Sequence, residues 1–281
     1  MWIVVTDLDG TLLNHHNYSW EGARQALKVL ETRGVPVVFC TSKTRAEVEL
    51  LRRDTANRHP FITENGGAVY LPATPFQDLA GKVPRQDAYL RISLGASYPR
   101  LVSALAEAAR ECHCSVRGFA TATEAEVAEW CGFSEGEARL ARQREFDEPL
   151  LLDAGDGDAL AAVIARRGYR TTQGGRFWHI MGNNDKGAAL LALRRAYLAC
   201  GVPVSVAALG DSPNDLPLLC QAEWPVVMPS ARLAEMRSVL PHAIVAPDSG
   251  SVGWGAAMLD AVPAWFQGRG QSDYPLWSSP A

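Results

Sequence analysis

The sequence of 281 residues has little of what marks a nucleic-acid-binding or membrane protein. It contains no run of basic residues, and 27 Lys and Arg face 31 Asp and Glu, for a net charge of −4. No basic footprint for nucleic acid is therefore expected. No stretch approaches the roughly 18 apolar residues of a membrane span, and the segment 1–7 lacks the basic region of a signal peptide. We expect a cytoplasmic protein without nucleic-acid or membrane partners; the oligomeric state stays open.

The sequence also lacks the cysteine spacing of a zinc site, although it contains six cysteines. Cys112-His113-Cys114 places one residue between two thiols, which is not a zinc-site spacing, so we expect buried or helix-end cysteines. A chain of this length buries its own core and needs no disulfides, which favours a reducing compartment. Lysine is scarce, with four residues among the 27 basic ones, so each lysine within a motif is informative.

Strands and helices alternate at both ends of the chain. Residues 2–6 and 35–40 are apolar runs separated by a helical pattern, and the alternation resumes after residue 184. This order predicts an α/β fold with a doubly wound parallel sheet. The proline-containing stretch 72–84 predicts a boundary, followed by an α+β insert. We therefore expect core segments at 1–83 and 183–266, an insert at 84–182, and a mobile tail at 267–281.

The string Asp7-Leu8-Asp9-Gly10-Thr11 directly follows the first predicted strand. Ligands of open α/β sheets bind at the carboxyl ends of strands. There, Asp7 could attack phosphorus and form an aspartyl-phosphate, while Asp9 protonates the leaving oxygen and then activates water. A purely structural acidic turn is the alternative.

A second acidic string, Gly210-Asp211-Ser212-Pro213-Asn214-Asp215, follows another apolar strand, 204–209. Carboxylates from separate strand ends suit Mg²⁺, which combines a few protein oxygens with water and phosphate. Asp211 is expected to bind the metal directly, and Asp215 directly or through water. A helix-capping cluster would give the same pattern.

Two further motifs lie at a strand end and a helix start. Thr41, Ser42 and Lys43 follow the second strand, where hydroxyl and N–H groups can hold a phosphoryl group; a simple cap and a solvated lysine are the alternatives. Lys186 begins a helix, an unfavourable position for a cation unless it meets a phosphoryl oxygen or the nucleophile. A surface lysine would be the ordinary explanation.

In this order, the four motifs resemble those of the haloacid dehalogenase superfamily of phosphohydrolases and phosphotransferases. The resemblance implies a Rossmann-like core with an inserted α+β cap of type C2B, as in the Cof-like branch. It also implies catalytic roles for Asp7, Asp9, Thr41 and Lys186. Mg²⁺ would be held by Asp7, by Asp211 and Asp215, and by the backbone carbonyl of Asp9.

Strings within the insert are similar to those of the mannosyl-3-phosphoglycerate phosphatases. Among them are residues 126–132, 141–149 and 174–179, and the resemblance extends over the chain to about residue 266. It implies hydrolysis of 2-O-mannosyl-3-phosphoglycerate to phosphate and mannosylglycerate, a compatible solute. A substrate with a carboxylate and a sugar suggests an arginine fork for the carboxylate. The expected substrate-binding residues are Ser42, Lys43, Glu64, Asn65, Arg144, Arg176, His179 and Asn214.

Several alternatives remain open at this point. The charged string 144–148 could be a solvated face, His179 could be structural, and Glu64 and Asn65 could simply form a turn. The enzyme could act on glucosyl-3-phosphoglycerate or another sugar phosphate, or transfer the phosphoryl group as a phosphomutase does. A phosphate-binding regulator without catalysis would be expected to lack the acidic motif residues, all of which are present here.

Overall fold

A computed structural model describes residues 1–174 and 177–265, which form two sheets with surrounding helices. Within these ranges the strands are β1 (Trp2–Thr6), β2 (Val37–Cys40), β3 (Phe61–Thr63), β4 (Ala68–Pro72), β5 (Arg85–Gln86), β6 (Tyr89–Ser93), β7 (Ser115–Gly118), β8 (Asp147–Ala154), β9 (Arg170–Gly174), β10 (Phe177–Met181), β11 (Ser205–Gly210), β12 (Trp224–Val227) and β13 (Ile244–Val245). The α-helices are α1 (Arg24–Thr32), α2 (Arg45–Asp54), α3 (Tyr98–Glu111), α4 (Glu124–Cys131), α5 (Glu135–Ala141), α6 (Gly157–Arg166), α7 (Lys186–Ala199), α8 (Leu216–Leu219), α9 (Leu233–Val239) and α10 (Gly250–Trp265). The expected tail, 267–281, lies outside the described residues.

The larger sheet has the strand order β13-β12-β11-β1-β2-β3-β4-β6-β5. Its strands are parallel from β13 to β3, and β4, β6 and β5 extend it in antiparallel fashion. From β1 the chain continues to β2 on one side, and it returns after the insert to β11 on the other. The predicted doubly wound α/β fold is thereby confirmed, and β1 lies where the strand order reverses, the usual ligand position in such sheets.

Helices cover both faces of this sheet, which explains why its central strands are apolar throughout. Ile3 and Val5 of β1 pack in a cluster with residues of α7 and α8, whereas Val4 packs on the opposite face with α1 and α10. Trp254 of α10 is fully buried, and its indole N–H donates to the hydroxyl of Thr6 at 2.9 Å. This contact fixes the end of β1 immediately before Asp7.

Three helix starts have the same reciprocal cap, whose sequence signature is a serine or threonine followed three residues later by a glutamate. In each, a hydroxyl accepts a hydrogen bond from the backbone N–H three residues on, and the glutamate there accepts from the backbone N–H of the cap residue. Such reciprocal bonds satisfy N–H groups that the helix itself leaves unpaired. The capping pairs are Thr44 with Glu47, Thr123 with Glu126, and Ser134 with Glu137.

The insert forms a four-stranded antiparallel sheet, in the order β7-β8-β10-β9, with α3 and α6 packed on it. Helices α4 and α5 form a separate small cluster with Phe119 and Trp130. We refer to β7–β10 and α3–α6 together as the cap. Its mixed composition agrees with the α+β insert that the sequence predicted.

The boundary before the cap differs from our expectation of residue 84. Strands β5 and β6 belong to the larger sheet, where Leu71 of β4 lies opposite Leu90 and Val69 opposite Ile92. Leu90 and the partly buried Ile92 continue the apolar cluster on one face of that sheet. Our expected boundary placed this strand, near 90–94, in the insert. It instead extends the core sheet, so the first core segment ends at Ser93.

Two further expectations from the sequence concern membrane spans and cysteines. In the part of the chain that the structure describes, no helix is long and apolar enough to cross a membrane. The six cysteines all lie within the described residues, and none of them forms a disulfide. Cys112 ends α3, where its thiol donates to the carbonyl of Ala108 at 2.8 Å, as expected of a helix-end cysteine.

Candidate active site

The floor of the site is formed at the carboxyl ends of β1 and β11. Asp7 follows β1 directly, and Asp215 lies in the short turn after β11. Lys186, the first residue of α7, places its Nζ 2.6 Å from Oδ1 of Asp7 and 2.6 Å from Oδ1 of Asp215. Its side chain is 1% exposed, so the alternative of a surface lysine is wrong.

The electrostatics of this floor are dominated by negative charge. Burial raises the pKa of Asp7 well above its ordinary value, against the opposing effect of Lys186. Burial, reinforced by Asp215, also raises the pKa of Asp211 to about 7. Although burial disfavours its ammonium, the carboxylates of Asp215 and Asp7 raise the pKa of Lys186. One ammonium among three carboxylates leaves a negative excess that a cation would neutralise.

The same carboxylates are suited to a divalent metal. One oxygen each of Asp7, Asp211 and Asp215 lies within 4.8 Å of the others. In addition, Oδ1 of Asp9 is buried and has no hydrogen-bond partner among the described residues. Clustered carboxylate oxygens are the donors that hard cations such as Mg²⁺ and Ca²⁺ take. The residues present therefore fit a divalent cation, as the sequence predicted.

The turn after β1 requires the glycine of the acidic string. Gly10 has a φ of +79°, and a Cβ at this position would lie 2.7 Å from Oδ2 of Asp211. Thr11 directs its hydroxyl to Oδ1 of the same aspartate, at 3.5 Å. Any larger residue at position 10 would displace the carboxylate that the cluster shares.

The turn after β11 is organised by Asp215. Its Oδ2 accepts hydrogen bonds from the backbone N–H groups of Asp211 and Ser212, at 3.0 and 3.1 Å. The hydroxyl of Ser230 donates to the carbonyl of Asp211 at 2.7 Å. Asp215 thus combines the capping role that sequence reasoning left open with a place in the acidic cluster.

At the end of β2, Thr41 is buried and its hydroxyl accepts from the N–H of Lys43 at 3.2 Å. Nζ of Lys43 lies 2.9 Å from Oδ2 of Asp9 and 5.0 Å from the ring centre of Tyr18. Burial disfavours the ammonium of Lys43, but Asp9 and Glu47 raise its pKa. Lys43 is therefore not a solvated loop lysine, because it pairs with the second aspartate of the acidic string.

Glu64 and Asn65, both with positive φ, form the turn between β3 and β4. The carboxylate of Glu64 is fully buried and accepts from the N–H groups of Glu145 and Phe146, the latter at 2.7 Å. Burial raises its pKa to about 8. Glu64 does not line the cleft described next, so our expectation that it contacts a sugar is wrong: its carboxylate joins the core to the cap.

A cleft of about 1120 Å³ separates the core from the cap. Thr41, Lys186 and Asp215 are buried beneath it. Arg176, our first candidate for a carboxylate fork, lies outside the described residues. The predicted site residues that line the cleft are Asp7, Asp9, Ser42, Lys43, Asn65, Arg144, His179, Asp211 and Asn214.

The cap contributes charged residues that the sequence did not distinguish. Asp147 and Glu148 are 0% and 1% exposed, so the reading of string 144–148 as a solvated face is wrong. Arg144 donates through Nη1 to the carbonyl of Ser42 at 2.8 Å, which ties the cap to the loop after β2. Two adjacent buried acids follow neither helical nor strand periodicity, so no local signal could have identified Asp147.

Aromatic residues of the cap also went unrecognised. The rings of Phe119 and Phe177 meet edge to face at 5.3 Å, with Trp130 beside them, and all three line the cleft. On the core side, Tyr18 approaches Phe133 of the cap at 6.1 Å. These residues are spread over several elements, and only the packing of those elements brings them together.

Comparison of the sequence with known proteins identifies close relatives. A family model described as haloacid dehalogenase-like hydrolase matches residues 4–81. A glucosyl-3-phosphoglycerate/mannosyl-3-phosphoglycerate phosphatase of Methanococcoides burtonii is 38% identical over 271 residues, covering 92% of this chain and 97% of the relative. The phosphatase of the same name from Persephonella marina is 34% identical over 256 residues, covering 90% and 94%.

Solved structures agree on the architecture. A Thermoplasma acidophilum protein matches with a TM-score of 0.67 and 17% identity, over 92% of this chain and 97% of its own. A haloacid dehalogenase-like hydrolase from Bacteroides thetaiotaomicron matches with a TM-score of 0.63 and 17% identity, over 94% and 99%. At these identities the likeness supports the fold, cap included.

Proposed function

Since this chain belongs to the glucosyl-3-phosphoglycerate/mannosyl-3-phosphoglycerate phosphatases, within the haloacid dehalogenase-like hydrolases, we propose that it hydrolyses 2-O-mannosyl-3-phosphoglycerate. The chain is a phosphoric monoester hydrolase, and the proposal concerns its substrate, its metal and the roles of its residues. The products would be phosphate and mannosylglycerate. The observation that best supports this proposal is the position of Asp7. Its carboxylate lines the cleft between core and cap and forms an ion pair with the buried ammonium of Lys186.

The proposed first step is an in-line attack by a carboxylate oxygen of Asp7 on the phosphorus. A P–O bond to Asp7 forms as the ester P–O bond breaks, and Asp9 gives its proton to the departing glycerate oxygen. Lys186 and the hydroxyl of Thr41 stabilise the charge on the phosphoryl oxygens. The burial of Lys186 strengthens this interaction, because few waters screen its charge.

The second step releases the phosphate. Asp9, now a carboxylate, takes a proton from water as the water oxygen attacks phosphorus, and the bond between phosphorus and Asp7 breaks. Asp9 is thereby protonated again, and Asp7 is free. In this scheme, Lys43 is the residue that holds Asp9 in place between turnovers, through their 2.9 Å contact.

We propose Mg²⁺ as the metal, held by Asp7, Asp211 and Asp215 together with the backbone carbonyl of Asp9. When bound, it would offset the negative charge of phosphate and aspartates, so that an anionic nucleophile can approach an anionic ester. Removal of the metal with a chelator should abolish turnover, and Mg²⁺ in excess should restore it. Full turnover in the chelator would contradict this assignment.

Contacts to the rest of the substrate would come from the cleft wall. We propose that Ser42, Lys43, Asn65 and Asn214 on the core side, and Arg144 on the cap, contact the glycerate or the sugar. The glucosyl compound is the second candidate, because the relatives carry both names. Six cysteines without a disulfide are compatible with a reducing cytoplasm as the compartment.

The test is phosphate release at saturating Mg²⁺ with the mannosyl compound, its glucosyl analogue and common sugar phosphates. A preference of about 100-fold in kcat/KM, near 2.7 kcal/mol, for the two glycosyl-3-phosphoglycerates over other esters would support the proposal. Faster turnover of an unrelated sugar phosphate would refute the substrate but not the chemistry. Asp7→Asn should abolish turnover of every ester, and near-wild-type rates would refute its role as nucleophile.

A further inference from the structure

A chain of hydrogen bonds crosses from the cap to the core on one side of the cleft. On the cap, Nδ1 of His179 lies 3.0 Å from both carboxylate oxygens of Asp147. On the core, Nδ2 of Asn65 donates to Oδ2 of Asp147 at 3.0 Å. Oδ1 of Asn65 in turn accepts from Nδ2 of Asn214 at 3.1 Å. The carboxylate that meets His179 is therefore bound by the core as well.

Asp147 is charged in this arrangement. It is fully buried, and although burial opposes ionisation, His179, Arg144 and Asn65 together hold its pKa below the ordinary value. An ionised carboxylate accepts hydrogen bonds only, so Nδ1 of His179 must carry the hydrogen between them. Nε2, the other ring nitrogen, is then left to hydrogen-bond with a ligand.

His179 belongs to the wall of the substrate cleft. His179 lines it with a side chain that is 12% exposed. Among residues 1–174 and 177–265, none forms a hydrogen bond with its Nε2. The rings of Phe119, Phe177 and Trp130 line the same cleft. Apolar rings combined with a small number of polar side chains are typical of a site that orients a small organic ligand.

The chemistry of the ligand group follows from these observations. A hydroxyl pairs with Nε2 in either protonation state of the ring, because a hydroxyl both donates and accepts hydrogen bonds. Aromatic rings offer apolar surface to the C–H faces of a sugar. A glycosyl group provides both the hydroxyl donors and these faces.

We propose that Nε2 of His179 forms a hydrogen bond with a hydroxyl of the substrate's glycosyl group, and that Asp147 is the positioning residue that holds the ring for it. This inference rests on the proposed function, since it assigns the sugar of that substrate to one part of the cap. Asn65 of the core binds the carboxylate of Asp147, and this carboxylate binds the ring of His179. The ring is therefore held in this orientation while the cap contacts the core.

The experiment compares variants on substrates with and without a sugar. The variants are His179→Leu, His179→Gln and Asp147→Asn, and the matched control is Glu148→Gln. Glu148 is the next residue, equally buried, but its carboxylate binds Tyr98 and the N–H of Ala120 instead of the cleft wall. The glycosylated esters are mannosyl- and glucosyl-3-phosphoglycerate and mannose 6-phosphate; those without a sugar are 3-phosphoglycerate and p-nitrophenyl phosphate.

The expected result is a selective loss. His179→Leu and Asp147→Asn should lower kcat/KM for the preferred glycosylated ester about 10- to 100-fold. Turnover of p-nitrophenyl phosphate, which also reports folding, should change less than about twofold, within the range of a neutral substitution. His179→Gln keeps an amide acceptor and should retain part of the preference, and Glu148→Gln should retain all of it.

The outcomes separate this inference from the proposed function. A wild type that prefers glycosyl-3-phosphoglycerates, with His179→Leu unaffected or equally impaired on every ester, would overturn the inference alone. A wild type that prefers mannose 6-phosphate, with this preference lost in His179→Leu, would support the inference and refute the proposed substrate. A wild type without preference for any sugar would refute both.

Discussion

Replacement of Lys186 by methionine tests the charge balance on which the site depends. Methionine keeps a similar volume but removes the ammonium that lies 2.6 Å from both Asp7 and Asp215. The two carboxylates would then lie buried without their counter-ion, with Asp211 adding like charge. Removing one partner of a buried ion pair typically costs about 3–5 kcal/mol, because the remaining charge stays desolvated.

The loss of unfolding free energy in Lys186→Met should be larger at high pH than at low pH. In the variant, burial and mutual repulsion keep the pKa values of Asp7 and Asp211 above those of the unfolded chain. A group whose folded pKa is raised favours the folded state at low pH and destabilises it as pH rises through the interval between the two values. The deficit against wild type should therefore approach about 3–5 kcal/mol at pH 8 and shrink toward pH 5.

The assay is urea unfolding in the presence of a chelator, so that no metal replaces the missing charge. Lys28→Met, at an exposed position of α1, is the control and should leave stability within about 0.5 kcal/mol. Phosphatase activity of Lys186→Met with Mg²⁺ should fall by roughly 10²-fold or more. If Lys186→Met lost the same unfolding free energy at pH 5 and at pH 8, or none at either pH, the charge argument would be refuted.

Three other outcomes follow from the geometry. Gly10→Ala should destabilise the protein by about 1 kcal/mol or more and raise the metal concentration needed for activity, because its Cβ would meet Asp211; unchanged metal dependence would contradict this. Burial raises the pKa of Glu148 to about 7, so wild type should lose stability relative to Glu148→Gln as pH rises from 5 to 8 in urea titrations. In Asp211→Asn, calorimetry should detect weaker Mg²⁺ binding than in wild type, and equal affinity would remove Asp211 from the metal site.

The local features of the fold were predictable because neighbouring residues determine them. The three capping boxes each depend on a hydroxyl and a glutamate within four residues, so a short stretch of sequence contains both groups that form them. The apolar runs at β1 and β11 identified strands buried on both faces. Their alternation with helices was enough to predict a doubly wound sheet, which in turn placed the residues after those strands at one edge.

The boundary of the cap was mispredicted because we judged it from neighbouring residues alone. A cluster of prolines interrupts the local pattern, and we took the interruption for the end of the sheet. Whether a strand joins one sheet or another depends on which apolar face it completes. Leu90 and Ile92 complete that of the core, through pairing with Val69 and Leu71 of β4.

For the candidate site, the sequence by itself determined the chemical inventory: aspartates on a turn after β1, acids after β11, hydroxyls after β2 and a lysine opening α7. Tertiary structure decided what these groups do to one another. Lys186 neutralises Asp7 across 179 positions of sequence, Asp147 is buried against His179, and Glu64 binds cap backbone instead of a sugar. Residue types and local spacing are properties of short segments, whereas burial and charge pairing depend on atoms that only folding brings within a few ångströms.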